Sequence, residues 1–145
     1  MLKEKEHLLL SNLRQNSRES LVKISSKTNI PISTLFDVLK RLEANVIKKH
    51  FSIVDFAKLG YSIRVNFVLK TKNKKEISKF LMKHPSVNSA SSLINNYDFY
   101  VDCFFRNLKE STDFKSNLEN IGITEMKEMF IIDEIKREGF SFTPK

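Results

Sequence analysis

Ser33, Thr34, Asp37, Lys40 and Arg41 fall within nine residues, with Arg18 before them and Lys48 and Lys49 after. Hydroxyls at a helix start, helped by the free N–H groups there, can bond phosphate oxygens or base edges, and Lys or Arg one or two turns on reaches phosphates or guanine. Asp37 can accept from a cytosine amino group, or it simply keeps the helix soluble. This is the chemistry of recognition rather than of bond making. No nucleophile stands beside a base, no glycine-rich loop could cradle a phosphate, and no carboxylate pair has a useful spacing. His7, His50 and His84 are far apart, without Cys or carboxylate at ligand spacing, so neither a metal nor a cofactor is expected. Cys103, the one cysteine, lies in the alternating run Phe99 to Phe105, reads as a structural thiol, and leaves no intrachain disulfide.

Three amphipathic segments must position those residues. Leu9, Leu10 and Leu13 repeat at helical spacing, which predicts a first helix from about Lys3 to Gln15, stopped by Asn16, Ser17 and Arg18. Ser20 is placed to cap a second helix that faces Leu21, Ile24 and Thr28 inward. Asn29 tolerates the left-handed conformation and Pro31 forbids continuation, so a tight turn follows. A third helix, from Ile32 or Ser33 to Ala44, turns Leu35, Val38, Leu39 and Leu42 inward and leaves Ser33, Thr34, Phe36, Asp37, Lys40 and Arg41 on or near its open face. Lys48, Lys49 and His50, with Phe51 to Val54 alternating behind, suit a wing strand. The whole reads as a winged helix-turn-helix over residues 1–50, with 51–61 as a linking strand. The rival reading is a small helical cap whose basic face contacts protein.

Composition agrees with a polyanion partner. The 145 residues carry net charge +8, with 41% hydrophobic and 29% charged residues, a globular balance. Residues 1–50 hold ten Lys or Arg against five Asp or Glu, so most of the excess sits in the smaller part. No apolar run nears the ~18 residues of a membrane span, and the opening is too charged for a secretion signal, which predicts a cytoplasmic chain with no membrane partner.

Residues 62–145 change period. Alternation over 61–71 predicts a strand, Lys74 to His84 a helix ended by Pro85, Val87 to Ile94 a second strand, and Tyr97 to Phe105 a third after a turn at Asn95 to Asp98. A helix over Leu108 to Asn120 and a last strand over Met126 to Ile135 complete the order β-α-β-β-α-β. The fold class is therefore α+β, a ferredoxin-like unit following the helix-turn-helix. Phe104, Phe130 and Ile132 are expected on the bare sheet face, an apolar surface that predicts face-to-face dimerisation.

These residues resemble the Lrp/AsnC, or feast/famine, family of transcription regulators. The similarity runs through Leu9-Leu10, Leu13, Asn16-Ser17-Arg18, Ser20, Ile24, Ile30, Leu35, Leu39 and Leu42-Glu43. It is most specific at Val46-Ile47-Lys48, Val54-Asp55 and Lys58-Leu59-Gly60-Tyr61, and continues at Leu81, Pro85, Val87 and Tyr97-Asp98. The resemblance implies a sequence-specific regulator that binds double-stranded DNA as a homodimer, or as a tetramer or octamer, with an effector domain sensing an amino acid or other metabolite between dimers. Asn95, Tyr97 and Asp98 are then the effector-site candidates. Arg18, Lys48 and Lys49 are the candidate phosphate clamps, and Ser33, Thr34, Asp37, Lys40 and Arg41 the candidate readers.

Three departures from the family pattern matter. Val38 stands where an arginine is usual, Asn45 where a glycine closes the helix, and Asn95 where a glycine lets backbone approach the effector. A side chain at Asn95 either crowds the ligand out or changes which one fits. Two alternatives stay open: an architectural protein coating DNA with little sequence preference, and an enzyme resembling the siroheme decarboxylases. The latter share the layout, but their histidine is missing from Asp55 to Tyr61.

Overall fold

The computed structural model describes residues 2–94 and 96–142. The chain forms two compact units, one running to Ile53 and taking in the segment from Lys136, the other spanning Val54–Ile135. Against the expectation of one domain from residue 62 onward, the described segment Lys136 to Phe142 packs with the first unit.

The first unit is built on α1 (Glu4–Gln15), α2 (Leu21–Thr28) and α3 (Ile32–Asn45). Its core is Leu9, Ile24, Ile30, Leu35, Val38 and Leu42, with Leu10, Leu13, Leu21, Leu39 and Ile47 packed around it. Burying each such aliphatic side chain contributes about 1.5–3 kcal/mol before chain entropy is counted. Local chemistry sets the ends. Glu6 caps α1 by accepting from the Lys3 N–H at 2.8 Å, and Ser20 Oγ accepts from the Lys23 N–H at 3.3 Å. Asn29 takes the left-handed conformation, φ 55°, and Pro31 is the N-cap of α3, so α2 and α3 meet in the expected short turn. Ser25 Oγ staples that turn by donating to the Ile30 carbonyl at 2.7 Å.

The wing strand does not form. Residues 46–55 hold no strand, and Phe51 and Ile53 are more than half exposed. Alternation alone was misleading here, because a hairpin needs a turn residue able to reverse the chain and Ile47 to Val54 has neither glycine nor asparagine.

The second unit begins with a short 3-10 helix, Phe56–Leu59, closed by Gly60 at φ 89°. Then follow β1 (Ile63–Thr71), α4 (Lys74–Lys83), β2 (Val87–Ser92), β3 (Phe99–Phe105), α5 (Leu108–Ile121) and β4 (Ile123–Ile131). The strands pair antiparallel in the order β2-β3-β1-β4, the ferredoxin-like arrangement. Val65, Phe67 and Leu69 from β1, and Val101, Cys103 and Phe105 from β3, form one core with Ile77, Leu81, Phe114 and Leu118 of the helices. Burial pushes the Cys103 thiol up to about 12, as suits a structural residue.

Register corrects the expected apolar face. Directly opposed residues share a face, and Phe130 pairs with Val65, so it belongs to the helix-covered side. Ile132 lies beyond β4. Phe104 does lie on the other face, where the Phe56 ring covers it at 4.6 Å and the Arg64 guanidinium at 5.2 Å. The centre of that face is polar. Asp102 is 3% exposed, accepts from Arg64 Nε at 2.8 Å and Nη2 at 3.2 Å, and from Asn88 Nδ2 at 2.9 Å, while Arg64 also pairs with Glu134. This carboxylate pairing raises the arginine's pKa above its ordinary value. β4 also starts three residues earlier than expected and stops at Ile131, opposite Arg64, where its pairing with β1 ends.

Candidate nucleic-acid interface

α3 divides cleanly into two faces. Leu35, Val38 and Leu42 are at most 1% exposed, and this anchors the helix while leaving Ser33, Phe36, Asp37, Lys40 and Arg41 exposed and Thr34 half-buried. Val38, at the position where the resemblance expects an arginine, is a core residue and can touch no ligand. Asn45 replaces the expected glycine without a left-handed bend: the helix runs through it, and its Nδ2 donates to the Arg41 carbonyl at 2.9 Å.

The five reader candidates are thus on one helix, but not equally free. Arg41 Nη2 lies 3.8 Å from Glu6 Oε1 of α1. Lys40 Nζ sits 4.5 Å from the centroid of the Phe36 ring, and Phe36 is 48% exposed. Ser33 and Asp37 project from the same surface. Both hydroxyls lie in the first turn of α3, where unsatisfied N–H groups favour anions.

Arg18, Lys48 and Lys49 line a separate cleft of about 860 Å³, walled by Leu10, Leu13, Phe51 and Phe140. Arg18 lies in the α1–α2 turn, where its N–H donates to Asn16 Oδ1 at 3.1 Å. His50 Nε2 lies 3.1 Å from Glu43 Oε1, which draws the basic segment toward the last turn of α3. The structure therefore brings the three clamp candidates together without a hairpin.

Arg14 also lines that cleft, which the sequence pattern does not indicate. Arg14 Nη2 donates to the Glu138 carbonyl at 2.8 Å and to the Phe140 carbonyl at 3.2 Å, and its Nη1 pairs with Glu138 Oε2 at 3.4 Å. Glu138 adopts φ 50° to make this turn. The only local signal was the Glu138-Gly139 pair, which suggests a turn but not its docking site.

The effector candidates fare differently. Asn95 lies outside the described residues. Asp98 Oδ2 accepts from the Thr71 N–H at 2.8 Å and Oδ1 pairs with Lys74 Nζ at 2.9 Å. The lysine hydrogen bond, then the backbone one, holds the carboxyl below its ordinary pKa. The Tyr97 hydroxyl donates to Glu125 Oε1 at 2.7 Å, and Lys127 Nζ lies 5.2 Å from its ring. Both side chains fasten the turn to β1, α4 and β4. Among the described residues no group of three His, Cys, Asp or Glu could hold a metal, and no helix is long and apolar enough to cross a membrane.

No protein-family model matches the chain. It is 28% identical to the HTH-type transcriptional regulator FL11 of Pyrococcus furiosus over 90% of this chain and 88% of that protein. It is 26% identical to the transcriptional regulator AzlB of Bacillus subtilis over 94% and 92%, and 24% identical to an HTH-type transcriptional regulator of Pyrococcus abyssi over 99% and 100%. Among solved structures, a Neisseria meningitidis transcriptional regulator in complex with L-Met superposes with TM-score 0.85 at 21% identity, covering 94% of each chain. LrpC of B. subtilis gives 0.85 at 17%, covering 94% and 98%, and AsnC of E. coli gives 0.80 at 15%, covering 94% and 96%.

Proposed function

This chain is a homologue of HTH-type transcriptional regulators and has the Lrp/AsnC fold, and on that premise we propose that it regulates transcription by binding specific sites on double-stranded DNA. α3 enters the major groove, where Ser33, Thr34, Asp37 and Lys40 meet base edges, and Arg41 joins them on leaving Glu6. Arg18, Lys48 and Lys49 take phosphates on either side. Two copies bound as a dimer, or as part of a tetramer or octamer, place their α3 helices about one helical turn apart. The protein acts where the DNA is, in the cytoplasm. An amino acid or a similar metabolite, bound near Tyr97 and Asp98, changes affinity by acting on the fastened turn.

The observation that carries this reading is the division of α3 into a fully buried apolar stripe and an exposed polar, basic face, in a chain whose relatives are regulators. That kinship favours regulation over the tetrapyrrole-decarboxylase alternative. Low-specificity DNA coating gains some support from Arg41, since a reader engaged with Glu6 is not poised for a base. Genomic DNA selection with the purified protein at near-physiological salt, with and without a panel of amino acids, tests the proposal. Enrichment of a pseudo-palindromic motif supports it; uniform recovery supports coating, and no recovery refutes DNA binding.

A further inference from the structure

Ile32, Phe36 and Lys40 follow one another at i, i+4 and i+8, so they form a line along the exposed flank of α3. Ile32 is 46% exposed and Phe36 48% exposed, although Leu35 and Val38 beside them on the helix are fully buried. Two large apolar side chains therefore stand on the surface of the same helix that carries the polar reader candidates. Lys40 Nζ lies over the Phe36 ring at 4.5 Å, which holds the ring in place and screens part of it from water.

In the major groove the exposed apolar group is the C5-methyl of thymine, and a phenyl ring packs against it well. Charge favours the same occupant. The ring sits beside Lys40, in the unit that holds ten basic and five acidic residues over its first fifty. A lysine released from the ring can turn to guanine or phosphate, so docking exchanges one partner of the cation for another. We infer that Phe36 is a specificity-determining residue that reads a thymine methyl group in each half-site, with Ile32 extending the apolar contact and Lys40 bonding the neighbouring base or phosphate. This rests on the DNA-binding function proposed above and names what the α3 face selects.

The test removes only the methyl. A duplex recovered by selection from a randomised pool is resynthesised with deoxyuridine in place of every thymidine, which leaves base pairing and groove hydrogen bonding unchanged. Binding of both duplexes to the full-length protein and to Phe36→Ala is measured by fluorescence anisotropy. The wild type should lose about three- to fivefold in affinity per thymine methyl read, and Phe36→Ala should lose clearly less, with only the Ile32 contact left. Comparing the two proteins cancels any effect of the methyl on DNA stiffness, and because Phe36 is exposed, the variant's fold is checked simply by its circular dichroism. Equal wild-type binding to both duplexes, or an equal deoxyuridine penalty in wild type and variant, would overturn the inference while leaving DNA binding in place. A wild type that retains no duplex from the pool would overturn the function and the inference together.

Discussion

Glu6 holds Arg41: the two carboxylate oxygens of one residue divide between capping α1, through the Lys3 N–H at 2.8 Å, and pairing the Arg41 guanidinium at 3.8 Å. One side chain thus both starts the first helix and restrains a candidate reader on the third. The restraint is weak, since Arg41 is more than half exposed and such pairs contribute about 0–1 kcal/mol.

Glu6→Gln retains an acceptor for the cap and removes the charge that holds Arg41. DNA affinity should rise, by up to about fivefold, and this gain should vanish in an Arg41→Ala background. Anisotropy titrations of the four proteins check it. An equal gain with and without Arg41 would mean that Glu6 acts only through general repulsion of DNA.

Lys49→Ala should weaken binding to every duplex alike and reduce the slope of log affinity against log salt by about one. Arg41→Ala should cost about 1–3 kcal/mol at one base position. Titration across operator mutants separates the two, and identical profiles for both variants would show the assigned roles to be wrong.

Asp102 is almost wholly buried and depends on Arg64 and Asn88. Arg64→Ala leaves a buried carboxylate with one neutral donor, at a cost of about 3 kcal/mol, and adding Asp102→Asn should recover part of that loss by removing the charge. Urea unfolding of the single and double variants measures it. A double variant no more stable than Arg64→Ala would contradict the buried-charge account.

His84 packs edge-on to Phe114 at 4.8 Å, and its Nδ1 accepts from the Ser86 N–H at 3.2 Å, an arrangement that needs an unprotonated nitrogen. Burial lowers its pKa from the ordinary value. A base whose folded pKa is depressed contributes stability above its unfolded pKa of about 6.5, and that contribution is lost as pH falls through the lower folded value. His84→Asn keeps an acceptor but does not titrate. Between pH 7 and pH 5 the wild type should therefore lose more melting temperature than the variant, and parallel losses would remove His84 from the account.

The features legible in the sequence are mainly local. Ser20, Asn29 and Pro31 mark helix ends by their own backbone chemistry, and Leu35, Val38 and Leu42 mark a buried stripe by period. Contacts distant in sequence were not legible. Arg14 meets Glu138 across 124 positions, and no pattern at either end announces it. Alternation of Met129, Ile131 and Asp133 against Phe130, Ile132 and Glu134 predicts a last strand reaching Ile135, yet Ile132 and Ile135 are 99% and 98% exposed. A strand ends where its pairing ends, and β4 pairs with a segment roughly sixty residues away in the chain. Similarly, the reader candidates were legible as residue types on a helix, whereas the engagement of Arg41 by Glu6 and of Lys40 by Phe36 depends on side-chain geometry.

The most direct test of paired α3 helices in the major groove is chemical. Dimethyl sulfate methylates guanine N7 in that groove and adenine N3 in the minor groove, so protection on a selected duplex reports which groove is occupied. Guanine protection in two patches about ten base pairs apart, absent with Lys40→Ala combined with Ser33→Ala, is the expected result. Bound duplex with adenine protection alone, or with no guanine protected, would contradict it.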